Sequence, residues 1–290
     1  MTGNRYAAFC AYVLLAASGW IVQLAFPPPR SAATSEIAAL VLALCASFIF
    51  GGPWTPVSWR QAVRAVTAGV LLFGLPSALL GFRGGELPVF TRVSLLALVP
   101  AVVVLIATGS QGGGGPDFLG LLGASLAGVG GAFLLLPGDP ELLLQRPLAA
   151  VIVSGVILSL AVGSYLGHVA ANGWSMRTAA VLMLGPSLVL ASVMSWPVHP
   201  SNLLPDLGEG VSAVASASEF LLLIYLVRIF PPVSLASRYL LAPLVTAVEG
   251  LAYVRPAISW RLLLGTLLLV FGSVRLLRRE QVPDSPMSLL

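Results

Sequence analysis

Four ionisable side chains, Arg92, Glu219, Arg238 and Glu249, fall inside apolar stretches long enough to cross a bilayer. A charge at that depth costs about 2.5–3.5 kcal/mol on insertion scales, so each needs a partner, a route to water or a task. Glu219 lies deepest, roughly ten residues (about 15 Å) into its stretch, and its side chain is too short to reach an interface. A carboxyl group there must be protonated or paired with a cation. A group that loads and releases a proton at mid-membrane can couple solute movement to a proton gradient. Arg238 lies about six residues into the next stretch and is the nearest candidate counter-charge or anion ligand. The depths of Arg238 and Glu219 differ by about 7 Å at 1.5 Å per residue, which argues against direct contact. Arg92, about one turn into its stretch, can reach an interface with its long side chain. Glu249 is about a turn and a half from the end of its stretch, close to interfacial water.

Helical spacing groups these residues with uncharged polar ones. Ser212, Ser216 and Glu219 share one face at i, i+4 and i+7, and Arg238, Ala242, Thr246, Glu249 and Tyr253 share another. Tyr239 adjoins the second face. Ser154, Ala161, Ser164, His168 and Asn172 form a third, and Tyr12, Ala16, Gly19 and Gln23, with Trp20 beside them, a fourth. Polar faces of this kind turn away from lipid, either toward a shared cavity or into close helix packing by small residues. The candidate cavity set is therefore Trp20, Gln23, Arg92, Ser164, His168, Ser216, Glu219, Arg238, Tyr239, Thr246 and Glu249. No metal cluster, catalytic set or cofactor motif accompanies it. The run Gly112–Gly115 lacks the Lys and Ser/Thr of a phosphate-binding loop. The only two histidines, His168 and His199, stand in no HExxH pattern.

The elements that must position these side chains are membrane helices. Of 290 residues, 58% are hydrophobic and 9% charged, against roughly 25% charged in soluble domains. Mean hydropathy is +0.97. No polar stretch is long enough to hide a soluble domain. The net charge of +4 comes entirely from arginine. These arginines sit mostly in short loops, so they report topology rather than nucleic-acid binding. Cys10 and Cys45 both lie in apolar runs and read as small buried hydrophobes.

The chain divides into ten apolar segments, near 6–26, 36–51, 62–82, 88–108, 117–136, 148–170, 178–196, 210–230, the region after Pro232, and a last one before Arg275. A shift of about 143 residues carries the first five onto the second five, an internal duplication. Pro100 then matches Pro243, and Gly123 and Gly130 match Gly265 and Gly272. Pro76, Pro100, Pro186 and Pro243 each interrupt a helix; Pro100 and Pro243 are hinges for alternating access or static kinks that shape a cavity. The glycines of the fifth segment (Gly123, Ala127, Gly131, with Gly120, Ala124 and Gly128 alongside) form a close-packing face. An odd number of spans per repeat inverts the second copy, and inverted repeats with a site between them mark secondary transporters. The expected fold is all-α and integral to the membrane: ten transmembrane helices in two inverted five-helix repeats. Residues 1–137 form the first repeat, 138–147 a linker, 148–279 the second repeat and 280–290 a tail. Arg5, Arg60, Arg64, Arg177, Arg228, Arg275, Arg278 and Arg279 collect on one side, which places both termini in the cytoplasm.

The segment LASRYLLAPLVTAVEG followed by LLLGTLLLVFGSVRLLRR resembles the end of an EamA repeat of the drug/metabolite transporter superfamily. The shared pattern is a small-residue turn, a mid-helix proline and a glycine-spaced last helix closed by basic residues. The chain departs from it in the turns before the last helices, which read GSQGGGGPD and VRPAIS and lack the Gly-Glu pair often found there. The resemblance implies a multi-pass carrier of the plasma (inner) membrane, often an exporter of small metabolites or amino-acid-like solutes. Its implied partners are a small-molecule solute, protons and membrane lipid, with no nucleic acid and no cofactor; it acts as a monomer or homodimer. Two other classes compete: a membrane assembly subunit that does not transport, and a membrane-embedded enzyme. The second lacks a visible nucleophile–base pair or metal site. Solute-dependent flux separates the first from a carrier.

Overall fold

A computed structural model of the chain describes residues 2–18, 32–83, 89–109, 117–135, 145–194, 207–254 and 259–278. All regular elements among these are helical. They are α1 (Thr2–Ala17), α2 (Ala32–Phe50), α3 (Trp59–Gly69), a π-helical turn (Val70–Gly74), α4 (Leu75–Arg83), α5 (Val89–Leu96), α6 (Val99–Gly109), α7 (Phe118–Leu135), α8 (Pro147–Ala171), α9 (Met176–Met194), α10 (Leu207–Ile229), α11 (Pro232–Ala236), α12 (Arg238–Val254) and α13 (Trp260–Arg278). Seven helices among the described residues are long and apolar enough to cross a membrane, and the apolar part of α2, Thr34–Phe50, is slightly shorter. The molecule is thus an all-α, multi-pass membrane protein.

Local chemistry explains where several helices begin and bend. Ser58 caps α3: its hydroxyl accepts from the Gln61 amide, and the Gln61 side chain accepts from the Ser58 amide. This reciprocal pair starts the helix at Trp59, earlier than hydropathy suggests, because it satisfies amides that the first turn leaves open. Pro76 is absorbed without a break. The π turn just before it moves the carbonyl ladder so that the missing N–H is not called for. Pro100 also breaks nothing, since it is the second residue of α6, where an N–H has no partner anyway. The interruption of that segment lies at Ala97 and Leu98, between α5 and α6. Pro186 and Pro243 do sit inside helices. Gly52 and Gly173, at φ 78° and 80°, make the left-handed turns that close α2 and α8.

The two halves of the chain interlock. Helix α2 packs on α9 and α10, α8 packs on α3, α4 and α6, and α1 packs on α10 and α12. At one end, Arg177 donates to the Phe48 carbonyl at 2.6 Å and its amide to Gly51 at 3.0 Å. Beside it the Thr55 amide donates to Thr178 Oγ1 at 2.8 Å, and the Ser175 amide to Thr55 Oγ1 at 2.9 Å. Arg228 reaches the Trp174 carbonyl in the same region.

Helices α7 and α13 run antiparallel in backbone contact. A Cβ on Gly131 would lie 2.7 Å from the Gly265 carbonyl, and one on Gly272 would lie 2.7 Å from the Ala124 carbonyl. The packing face of α7 is therefore Ala124, Gly128 and Gly131, all buried. Gly123, expected on that face, is exposed with nothing near its Cβ position. Cys10 and Cys45, expected to be buried, are exposed free thiols. Lipid is as apolar as the interior, so apolar character does not tell the two environments apart.

Candidate functional site

The site is built where α1, α8, α10 and α12 meet. Arg238 is its centre. It is the first residue of α12, directly after the break at Ser237 whose hydroxyl donates back to the Ser234 carbonyl at 2.7 Å. That break turns the Arg238 side chain inward, and only 2% of the residue is exposed. Its Nη2 donates to the Tyr239 hydroxyl at 2.8 Å and reaches Ser164 Oγ on α8 at 3.5 Å. Its guanidinium carbon lies 4.6 Å from the Tyr239 ring centre and 5.5 Å from that of Tyr12. Both are cation–π distances. Nε and Nη1 are buried and have no hydrogen-bond partner.

Glu219, in the middle of α10, stands on the other side of Tyr12. The Tyr12 hydroxyl donates to Glu219 Oε1 at 3.4 Å. The two opposite charges therefore meet through a tyrosine: its ring faces the guanidinium and its hydroxyl faces the carboxylate. Tyr12 is itself buried, at 6% exposure. Just past the end of α1, Ser18 donates to Glu249 Oε1 on α12. Since Tyr12 meets Arg238 and Ser18 meets Glu249, α1 and α12 run in the same direction.

The structure thus brings Ser164, Glu219, Arg238 and Tyr239 into one cluster and adds Tyr12. Ser216 and Thr246 are half-buried on α10 and α12. His168 is turned to α10, its Nδ1 2.9 Å from the Val227 carbonyl. Arg92 is half-buried on α5, with a buried, unpartnered Nε. Trp20 and Gln23, like Gly19 and His199, lie outside the described residues. The third polar face does not hold together: Ser164 is fully buried, but Ser154 is exposed and its hydroxyl returns to the Ala150 carbonyl at 2.9 Å. A serine that bonds its own helix needs no cavity. One charge escaped the hydropathy reading. Glu36 is half-buried in the second turn of α2, with Oε1 buried and unpartnered. Extending that segment back to Ala32 is the signal that places it inside a helix. Among the described residues no group of three or more His, Cys, Asp or Glu side chains could hold a metal.

No family model matches the chain, and no curated protein matches it. Among solved structures, one named only as a crystal structure of protein superposes with a TM-score of 0.69. The match covers 97% of this chain and 100% of the other at 17% identity. At that identity the likeness shows a shared fold alone: the helical arrangement found here is one that an experimentally solved protein also adopts along its whole length.

Proposed function

We propose that the protein is a secondary transporter of a small solute, an EamA-type carrier of the drug/metabolite transporter superfamily built from two inverted five-helix repeats. The observation that carries the reading is an exchange symmetry in the helix packing. Taking α3 with α4, α5 with α6 and α11 with α12 as single rods gives ten rods. Shifting every rod by five then maps the most extensive contacts onto one another, while smaller ones, such as α8–α10 and α7–α12, have no counterpart of similar extent. The pairs α1–α10 and α1–α12 become α8–α3 and α8–α6; α2–α10 becomes α9–α3; α12–α13 becomes α6–α7. The pairs α2–α9 and α7–α13 map onto themselves. A pair that exchanges with itself about an axis in the membrane plane must cross antiparallel, as α7 and α13 do.

The charged cluster supports the same reading. In an inverted-repeat carrier the solute site lies near mid-membrane between the repeats. Glu219 and Arg238 come from the second repeat and Tyr12 from the first. A buried guanidinium, a carboxyl group and two tyrosines can hold a polar solute and exchange a proton with it. With both termini in the cytoplasm, Arg177, Arg228, Arg275 and Arg278 fall on the cytoplasmic side, the plasma (inner) membrane being the one such a carrier occupies.

The test is flux. Candidate solutes come first from an uptake-and-efflux comparison of a deletion strain with an overexpressor. Purified protein in liposomes is then loaded with unlabelled solute and offered labelled solute outside. The expected result is transient counterflow above the external level, absent from empty liposomes. Binding partners without any solute-dependent flux would contradict the proposal and favour a membrane assembly subunit.

A further inference from the structure

We infer that Arg238 is an oxyanion-binding residue and that the transported solute is a small organic acid. The inference rests on the transport reading above and names the solute class for that site. Three facts meet at this residue. The guanidinium is almost wholly buried. Among the described residues no carboxylate lies within ion-pair distance of it, because Tyr12 stands between it and Glu219. Nε and Nη1 donate to nothing. An arginine does not shed its proton, so the charge persists. Leaving a buried cation without a direct counter-ion is strongly unfavourable. A purely structural arginine at this depth would spend those N–H groups on backbone carbonyls or an acid.

The surroundings select the chemistry of the missing partner. The Tyr12 and Tyr239 rings lie within cation–π distance, and Nη2 is used by Tyr239 and Ser164. What remains are N–H donors, which a carboxylate or phosphate oxygen accepts with charge-assisted bonds. The Ser164 and Tyr239 hydroxyls add neutral donors beside them. The titratable and charged groups facing the site from the packed helices are Tyr12, Glu219 and Tyr239. Glu219 is thus the charge with which an anionic solute competes for Arg238. When Glu219 carries a proton, the cluster holds one net positive charge, which the solute anion then cancels. Proton and organic acid are favoured together.

Matched pairs differing only in charge provide the test. Phenylacetate against phenylacetamide and lactate against lactamide form the carboxylate arm. Glycerol 3-phosphate against glycerol forms the phosphate arm, and short-chain phosphatidylglycerol against phosphatidylcholine asks whether a lipid headgroup is the source. The readout is the unfolding temperature of the full chain in detergent at fixed ionic strength. A saturable rise is expected with at least one free acid and not with its neutral partner. Arg238→Lys should weaken the response at least tenfold, since it keeps the charge but loses the fork, and Arg238→Gln should abolish it. The inference falls if no acid in any arm shifts the transition, if the neutral partner shifts it equally, or if the shift survives Arg238→Gln. It also falls if only phosphatidylglycerol responds, because a lipid then occupies the site. Failure of the transport reading looks different: acids bind and depend on Arg238, yet none moves in liposomes. Flux that ignores solute charge sinks this inference and leaves transport standing.

Discussion

Glu219→Gln is expected to uncouple transport from the proton gradient while leaving solute exchange intact. Glutamine keeps the size of the side chain and still accepts from the Tyr12 hydroxyl, but it cannot titrate. A one-unit pH gradient is worth about 1.4 kcal/mol per proton, or about tenfold accumulation for one proton per solute. In liposomes the wild type should approach that ratio, whereas Glu219→Gln should stay near unity and still equilibrate labelled solute. Tyr12→Phe, which keeps the ring against Arg238 and removes only the hydroxyl, should fall between them. An unchanged pH dependence in Glu219→Gln would make the residue structural or merely cavity-lining. If the variant does not fold but recovers with Arg238→Met added, Glu219 is half of a buried pair acting through Tyr12 and carries no coupling role.

The largest effect on stability is expected from a single methyl group at Gly69. This residue ends α3 where that helix crosses α9, and a Cβ there would overlap the Met183 carbonyl. The obstacle is backbone, so no rotamer change relieves it. Ser187 ties the same crossing by donating to the Gly69 and Met183 carbonyls, each at 3.0 Å. Gly69→Ala should therefore destabilise by about 1–3 kcal/mol or more, lowering the unfolding temperature and the yield of monodisperse protein. Gly123→Ala is the matched control. Nothing stands within 4 Å of its Cβ position, and alanine is the better helix former by about 0.8–1 kcal/mol. It should be neutral or mildly stabilising. Equal behaviour of the two variants would mean that α3 and α9 do not cross at Gly69.

The same contrast shows what hydropathy does and does not encode. That the chain is built of membrane-length helices was legible because bilayer thickness dictates about 20 apolar residues per crossing. The ends of α7, α8 and α9 accordingly fall within about two residues of the segments read from sequence. The inward side of a helix was much less legible. Gly123 and Gly131 look alike in sequence, yet one faces outward and the other touches the Gly265 backbone. Cys10, Cys45 and Ser154 were misplaced for the same reason: in lipid, neither apolar nor self-bonded polar residues need burial. The deep charges were readable because their cost forces an explanation. Their arrangement was not, since the placement of Tyr12 between Arg238 and Glu219 brings α1 onto α10 and α12, a contact 207 residues apart in the chain.

Alternating access can be measured at one position. Ser216 lies one helical turn from Glu219 on α10. Cys10 and Cys45 are exposed, so both are first replaced by serine. Ser216→Cys is then labelled with a membrane-impermeant maleimide, from outside in intact cells and from the cytoplasmic side in inverted vesicles. A solute site served by two gates predicts labelling from both sides, slowed by transported solute on each. Labelling from one side only, whatever solute is present, would contradict the account.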